Sequence, residues 1–220
     1  MLVDVVAQVK TRVDIIESSL NTPNGNEDKK TEPLPTPTVP PLSPALEPMA
    51  KNVNALKRWT NTSSATIVFD STVDEFSDDG LFRKVQGKPN IAVIGFTTDG
   101  AVFGAFHSVA VSRQDELFHD HGLFVFSFES HGRCLTPQRF FMRPKFINTA
   151  FVRYNTNNKN CWVSFGTHMF AGGGVFFGNE SSDLSCYQLN KGFEGLEDYY
   201  LTGTEHRYFH CYRLVAVHLS

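Results

Sequence analysis

Asn90–Val111 reads "NIAVIGFTTDGAVFGAFHSVAV", two apolar runs on either side of Asp99-Gly100. An Asp-Gly pair between apolar runs is the strongest short-range signal for a β-hairpin, because the tight turn needs positive φ. Both runs are apolar at nearly every position instead of alternating with polar residues. That pattern predicts central strands covered on both faces.

Outward from the hairpin the strand signals continue. Gly122–Ser130, "GLFVFSFES", alternates Phe124, Phe126 and Phe128 on one face with Val125 and Ser127 on the other. "ATIVF" at Ala65–Phe69, "FVRYN" at Phe151–Asn155, "NCWVSFG" at Asn160–Gly166 and "RYFHCYRLVAVHL" at Arg207–Leu219 complete the set. Thr72 with Glu75 makes a capping box for one helix through "DEFSDDGLFRKV". The predicted domain, residues 64–220, is therefore mainly β (α+β), a β-sandwich flanked by short helices.

Two further segments precede it. In residues 1–21, Leu2, Val6, Val9, Val13, Ile16 and Leu20 follow an a/d heptad seam. This predicts a short amphipathic or coiled-coil helix, which either pairs with a second copy through residues 2–20 or docks on its own domain. Residues 22–63 read as a Pro-rich, disordered linker, with eight of the chain's eleven prolines between Pro23 and Pro48. Proline fixes φ and removes an amide donor, so the stretch favours extended polyproline II.

Composition narrows the function. The net charge is -3 with a pI near 6.2, so no global field draws the chain to nucleic acid or anionic lipid. No apolar run approaches the ~18 residues of a membrane span, and no signal peptide is expected at the charged N-terminus. Membrane insertion is not expected, and the expected compartment is the cytoplasm, with a nuclear pool open. Cys134, Cys161, Cys186 and Cys211 are widely spaced and read as reduced thiols. Cys134 stands apart, because His131, Arg133 and Arg139 lie near it in sequence and favour a thiolate. It is the candidate redox-sensitive residue.

The run "GGGVFFGNESSDLSCYQL" from Gly172 poses the enzyme question. A phosphate loop needs a lysine and a helix behind its glycines. Here a strand-like run follows, and the next lysine is Lys191. The glycines read instead as a turn or bulge that allows close backbone approach. No metal site is expected from His119, His121, His206 and His210, because no CxxC or HExxH pattern accompanies them. No cofactor or catalytic motif is found, and the reading leans away from an enzyme.

The segment "DDGLFRKVQGKPNIAVIGFTTDGAVFGAFHS" resembles a TLDc domain, with helix, strand, glycine turn and a strand containing "VFGAF" in the family's order. "FVFSFE", the glycine-rich run and the closing "FHCYRLVAVHL" resemble the family's later features, so the resemblance spans about Thr66 to Leu219. "RCLTPQRFFMRP" has no evident family counterpart. The resemblance implies a β-sandwich flanked by helices without established catalytic chemistry. It also implies protein binding in oxidative-stress protection, in some members by docking on the vacuolar proton-pumping ATPase and regulating its assembly.

Two readings follow. The favoured one is a non-enzymatic interaction domain of TLDc type that binds a protein partner. The alternative is a stress-responsive DNA-binding transcriptional regulator, paired through the N-terminal helix, with Arg133, Arg139, Arg143 and Lys145 as a local basic patch. The same four residues, with the acidic Glu194, Glu197 and Asp198, are the candidate partner-binding positions.

Overall fold

The computed structural model describes residues 49–132, 136–156, 161–167, 173–178, 184–197, 200–203 and 208–220. The heptad segment and most of the Pro-rich stretch lie outside these residues.

The Asp-Gly signal is a hairpin. Strand β2 (Ile91–Thr97) pairs antiparallel with β3 (Val102–His107), in register from Ile91 opposite His107 to Phe96 opposite Val102. Gly100 sits at φ +97°, and the Thr97 hydroxyl accepts the Ala101 amide at 2.8 Å while donating to the Asp99 carboxylate. A side-chain clasp thus reinforces the backbone turn.

Two six-stranded antiparallel sheets are built around this hairpin. The first comprises β1 (Ala65–Asp70), β12 (Cys211–Leu219), β2, β3, β5 (Phe124–Glu129) and β6 (Gln138–Phe141), in that order across the sheet. The second runs β11 (Tyr208–Phe209), β10 (Leu184–Tyr187), β9 (Gly174–Phe177), β8 (Val163–Thr167), β7 (Ala150–Tyr154) and β4 (Phe118–His119). Val93, Phe103 and Val125 from the first sheet meet Val152, Phe165, Val175 and Phe177 from the second in the main core. The rings of Phe103 and Phe177 lie 5.8 Å apart, and Phe209 meets Phe103 edge-on at 4.9 Å. The fold is mainly β, a sandwich with short helices.

The alternation in β5 explains a second core. Val125 points between the sheets, whereas Phe124, Phe126 and Phe128 point to the outer face of the first sheet. The apolar outer faces of five such strands, β1, β12, β2, β3 and β5, are too costly to leave wet, since each buried Leu or Phe contributes about 1.5–3 kcal/mol. Helix α1 (Ala50–Thr60) covers that face with Val53, Leu56 and Trp59, preceded by the buried Met49. It ends at Asn61, whose left-handed φ of 54° closes the last turn. The linker read over residues 22–63 therefore does not hold at its C-terminal end, where Ala50–Thr60 is helix. Polar residues dominate this helix, so its short apolar stripe is masked beside the prolines.

Helix α2 (Asp78–Val85) is also later than the capping box suggests. Ser77 is the cap, accepting the Gly80 amide at 3.0 Å, while the Thr72 hydroxyl donates to Asp70. Asp78 and Asp79 in the first turn and Arg83 and Lys84 in the last match the helix dipole.

In the described part of the glycine-rich run, Gly173 and Gly174 serve the backbone. Gly173 has φ +75°, and a Cβ there would collide with the Tyr187 carbonyl; β9 begins at the next residue. A strand, not a helix, follows, so no helix N-terminus is present to hold phosphate.

Candidate partner-binding site

The site is assembled where the edge strand β6 runs out. The next residues pair with a distant segment: Met142 bridges Phe193, the Arg143 amide donates to Gly192 O at 2.7 Å, and the Glu194 amide donates to Phe141 O at 2.9 Å. Phe193 and Leu189 are buried and anchor this second segment, which contains the short helix α3 (Leu189–Gly192). Pro144 then opens a 3-10 helix, Pro144–Thr149, where its missing N–H costs nothing.

These contacts set Arg143, Pro144, Lys145 and Phe146 across from Asn190, Lys191 and Glu194, around an open groove of about 560 Å³. The Arg143 guanidinium is fixed by two hydrogen bonds to the Asn190 carbonyl, from Nε at 3.3 Å and Nη2 at 3.0 Å. Lys145 Nζ lies 4.7 Å above the Phe146 ring. Lys191 and Glu194 are exposed.

Of the positions singled out by sequence, the fold thus brings together Arg143, Lys145 and Glu194. Arg139 is elsewhere. From β6 it reaches the outer face, its guanidinium 4.6 Å from the Phe141 ring centre and 6.0 Å from that of Trp59, and it donates to Trp59 O at 2.6 Å. It fastens α1 to the sheet. Glu197 is exposed but does not line the groove, and Arg133, Cys134 and Asp198 lie outside the described residues.

Lys191 and Phe146 went unmarked in the sequence. A weak signal existed, because Lys191 follows the buried Leu189 by two residues and Phe146 follows Lys145 directly.

The described thiols are Cys161, Cys186 and Cys211. Cys186 and Cys211 are buried, and burial pushes the Cys161 thiol up to about 12. Cys186 is raised as well, again by burial. Neither environment favours the reactive thiolate. Among the described residues, no three His, Cys, Asp or Glu side chains are grouped to hold a metal ion. His119 Nδ1 instead faces the Ala150 carbonyl at 3.3 Å. Among the described residues no helix is long and apolar enough to cross a membrane.

One polar group inside the sandwich was not foreseen. His107, at the end of β3, is fully buried; its Nδ1 donates to Val109 O at 2.8 Å and its Nε2 accepts from the Tyr154 hydroxyl at 3.1 Å. Burial drives its pKa down to about 4, with the Val109 carbonyl and Asp120 opposing.

Among curated proteins, none matches the chain. The TLDc domain model matches residues 47–210, which takes in α1, the whole second sheet and every strand of the first except β12. That match spans most of the sequence, and the two-sheet core with its helical cover is what the sequence resemblance implied: the chain belongs to the TLDc domain family.

Proposed function

We propose that this protein is a non-enzymatic interaction domain that acts in oxidative-stress protection by docking on the vacuolar proton-pumping ATPase in the cytoplasm. A TLDc domain is a protein-interaction domain, and the coarser role follows from family membership. The observation that carries the reading is the groove between Arg143–Phe146 and Asn190–Glu194, a charged surface feature held open by paired backbone. The heptad of residues 2–20, outside the described residues, would add self-association, presenting two such grooves.

No described feature favours duplex DNA. Of the described basic residues on which that alternative rests, Arg139 is engaged with Trp59, and Arg143 and Lys145 line a groove with Glu194.

The test is affinity purification of the tagged full chain from its own cells, with and without peroxide, each with and without nuclease. Recovery of proton-pump subunits that survives nuclease is the expected result. Recovery of chromatin proteins alone, lost on nuclease digestion, overturns the proposal.

A further inference from the structure

We propose that the groove at Arg143–Phe146 and Asn190–Glu194 binds an extended, carboxylate-rich segment of a protein partner. The proposal rests on the interaction-domain reading and assigns the chemistry of its ligand.

Charge is the first argument. Residues 65–220 carry thirteen basic and sixteen acidic side chains, yet the groove is lined by Arg143, Lys145 and Lys191 against Glu194 alone. It is a cationic site on an acidic domain.

Neutralisation is the second. Arg83, Lys84, Arg113, Arg153 and Arg213 each have a carboxylate within 4.0 Å. Of the other described cations without one, Lys88 and Arg139 have internal tasks, and Lys57 and Arg58 line a separate open pocket. Lys57 and Arg58 sit in the last turn of α1, Lys88 donates to the Lys84 carbonyl at the end of α2, and Arg139 holds Trp59. Among the described residues, no carboxylate lies within ion-pair distance of Arg143, Lys145 or Lys191. Arg143 is held by a neutral carbonyl, which orients the fork without cancelling its charge.

The third argument is shape. The groove's volume suits a few side chains, and Pro144 and Phe146 give it apolar surface beside the charges. Apolar surface interleaved with cations fits a peptide that carries aliphatic side chains among its acids. A run of phosphodiesters would leave the apolar surface of Pro144 and Phe146 unused.

The experiment is fluorescence anisotropy on the full chain with two labelled peptides, repeats of Glu-Asp-Leu-Gly and the same repeats with Lys for each acid. A single-stranded oligonucleotide of equal charge is the third probe. Lys145→Glu with Lys191→Glu removes two of the three cations at exposed positions, so folding is preserved and checked by unchanged melting. Lys57→Glu with Arg58→Glu, on α1, is the control. The expected result is binding of the acidic peptide alone, weakened about tenfold or more by the groove variant and by added salt. The control variant is expected to bind as wild type does.

No binding of the acidic peptide, equal binding by the groove variant, equal loss in the control, or preference for the oligonucleotide each overturns the proposal. The cellular purification separates this from the broader reading. Pump subunits recovered equally by the groove variant would sink the groove and leave the pump. Peptide binding through the groove, with no pump subunits recovered by wild type, would do the reverse.

Discussion

His107 is a basic residue sealed where no charge is solvated. Its two ring nitrogens are both used: the Val109 carbonyl requires a proton on Nδ1, which leaves Nε2 to accept from Tyr154. That arrangement is satisfied only by the neutral ring. The unfolded chain binds a proton near the ordinary value of 6.5, whereas the folded one resists until about 4. Between those values the unfolded state holds more protons, so stability is complete above pH 6.5 and is lost as pH falls toward 4. The contribution is of order 3 kcal/mol, from the pH span between the two values. In urea unfolding of His107→Gln, the midpoint is expected to vary less with pH over this window than in wild type. Parallel pH profiles would show that His107 does not set the slope. Nothing in "VFGAFHS" announces such a site, because a histidine closing an apolar strand looks the same whether its ring turns inward or out. Its burial depends on Tyr154, 47 residues away.

At the scale of elements, α1 is the piece without which the first sheet has a wet face. It stacks Trp59 on Phe128 at 6.2 Å and edge-on to Phe124 at 6.1 Å, and Arg139 clamps its last turn. A chain starting at Ser64, the boundary predicted from sequence, would leave Phe106, Phe124 and Phe126 open to solvent. A chain starting at Glu47 would keep them covered. The first is expected to aggregate or to bind a hydrophobic dye, and the second to melt cooperatively as a monomer. Equal behaviour in calorimetry and light scattering would mean that the sheet does not need its helix. The hairpin at Asp99-Gly100 was legible because its turn chemistry and its burial signal are both local. Helix α1 was harder to see, although Met49, Val53, Leu56 and Trp59 are spaced for one face of a helix. Eight prolines just upstream set the reading of the whole stretch. The groove lies between these cases. Charge alone marked Arg143, Lys145 and Glu194, but their meeting depends on the Met142–Phe193 bridge, which joins segments far apart in sequence. Charge marked Arg139 equally well, and only the outer helix shows that this cation is held within the domain.

The whole molecule adds a question of copy number. The heptad of residues 2–20 lies outside the described residues, and β-branched Val6 and Val13, at a positions of the seam, favour a two-stranded pairing. The full chain is expected to sediment as a dimer and the chain starting at Glu47 as a monomer, with two grooves per dimer raising avidity for a multivalent partner. Two monomers in the ultracentrifuge would return the heptad to an intramolecular role. A different demand comes from sheet order. β1 is hydrogen-bonded within its sheet to β12 alone, and β12 also flanks β2. Asp70 on β1 and its partner Arg213 on β12 are 143 residues apart in the chain. A ribosome adding about 5–20 residues per second needs roughly 7–30 s to cover that distance. Through that interval β1 and one side of the β2–β3 hairpin leave the exit tunnel as unpaired edges, able to recruit strands from neighbouring nascent chains. Newly made copies on one message are therefore most exposed to strand exchange before β12 emerges, and holding them apart is a task for chaperones that act during translation.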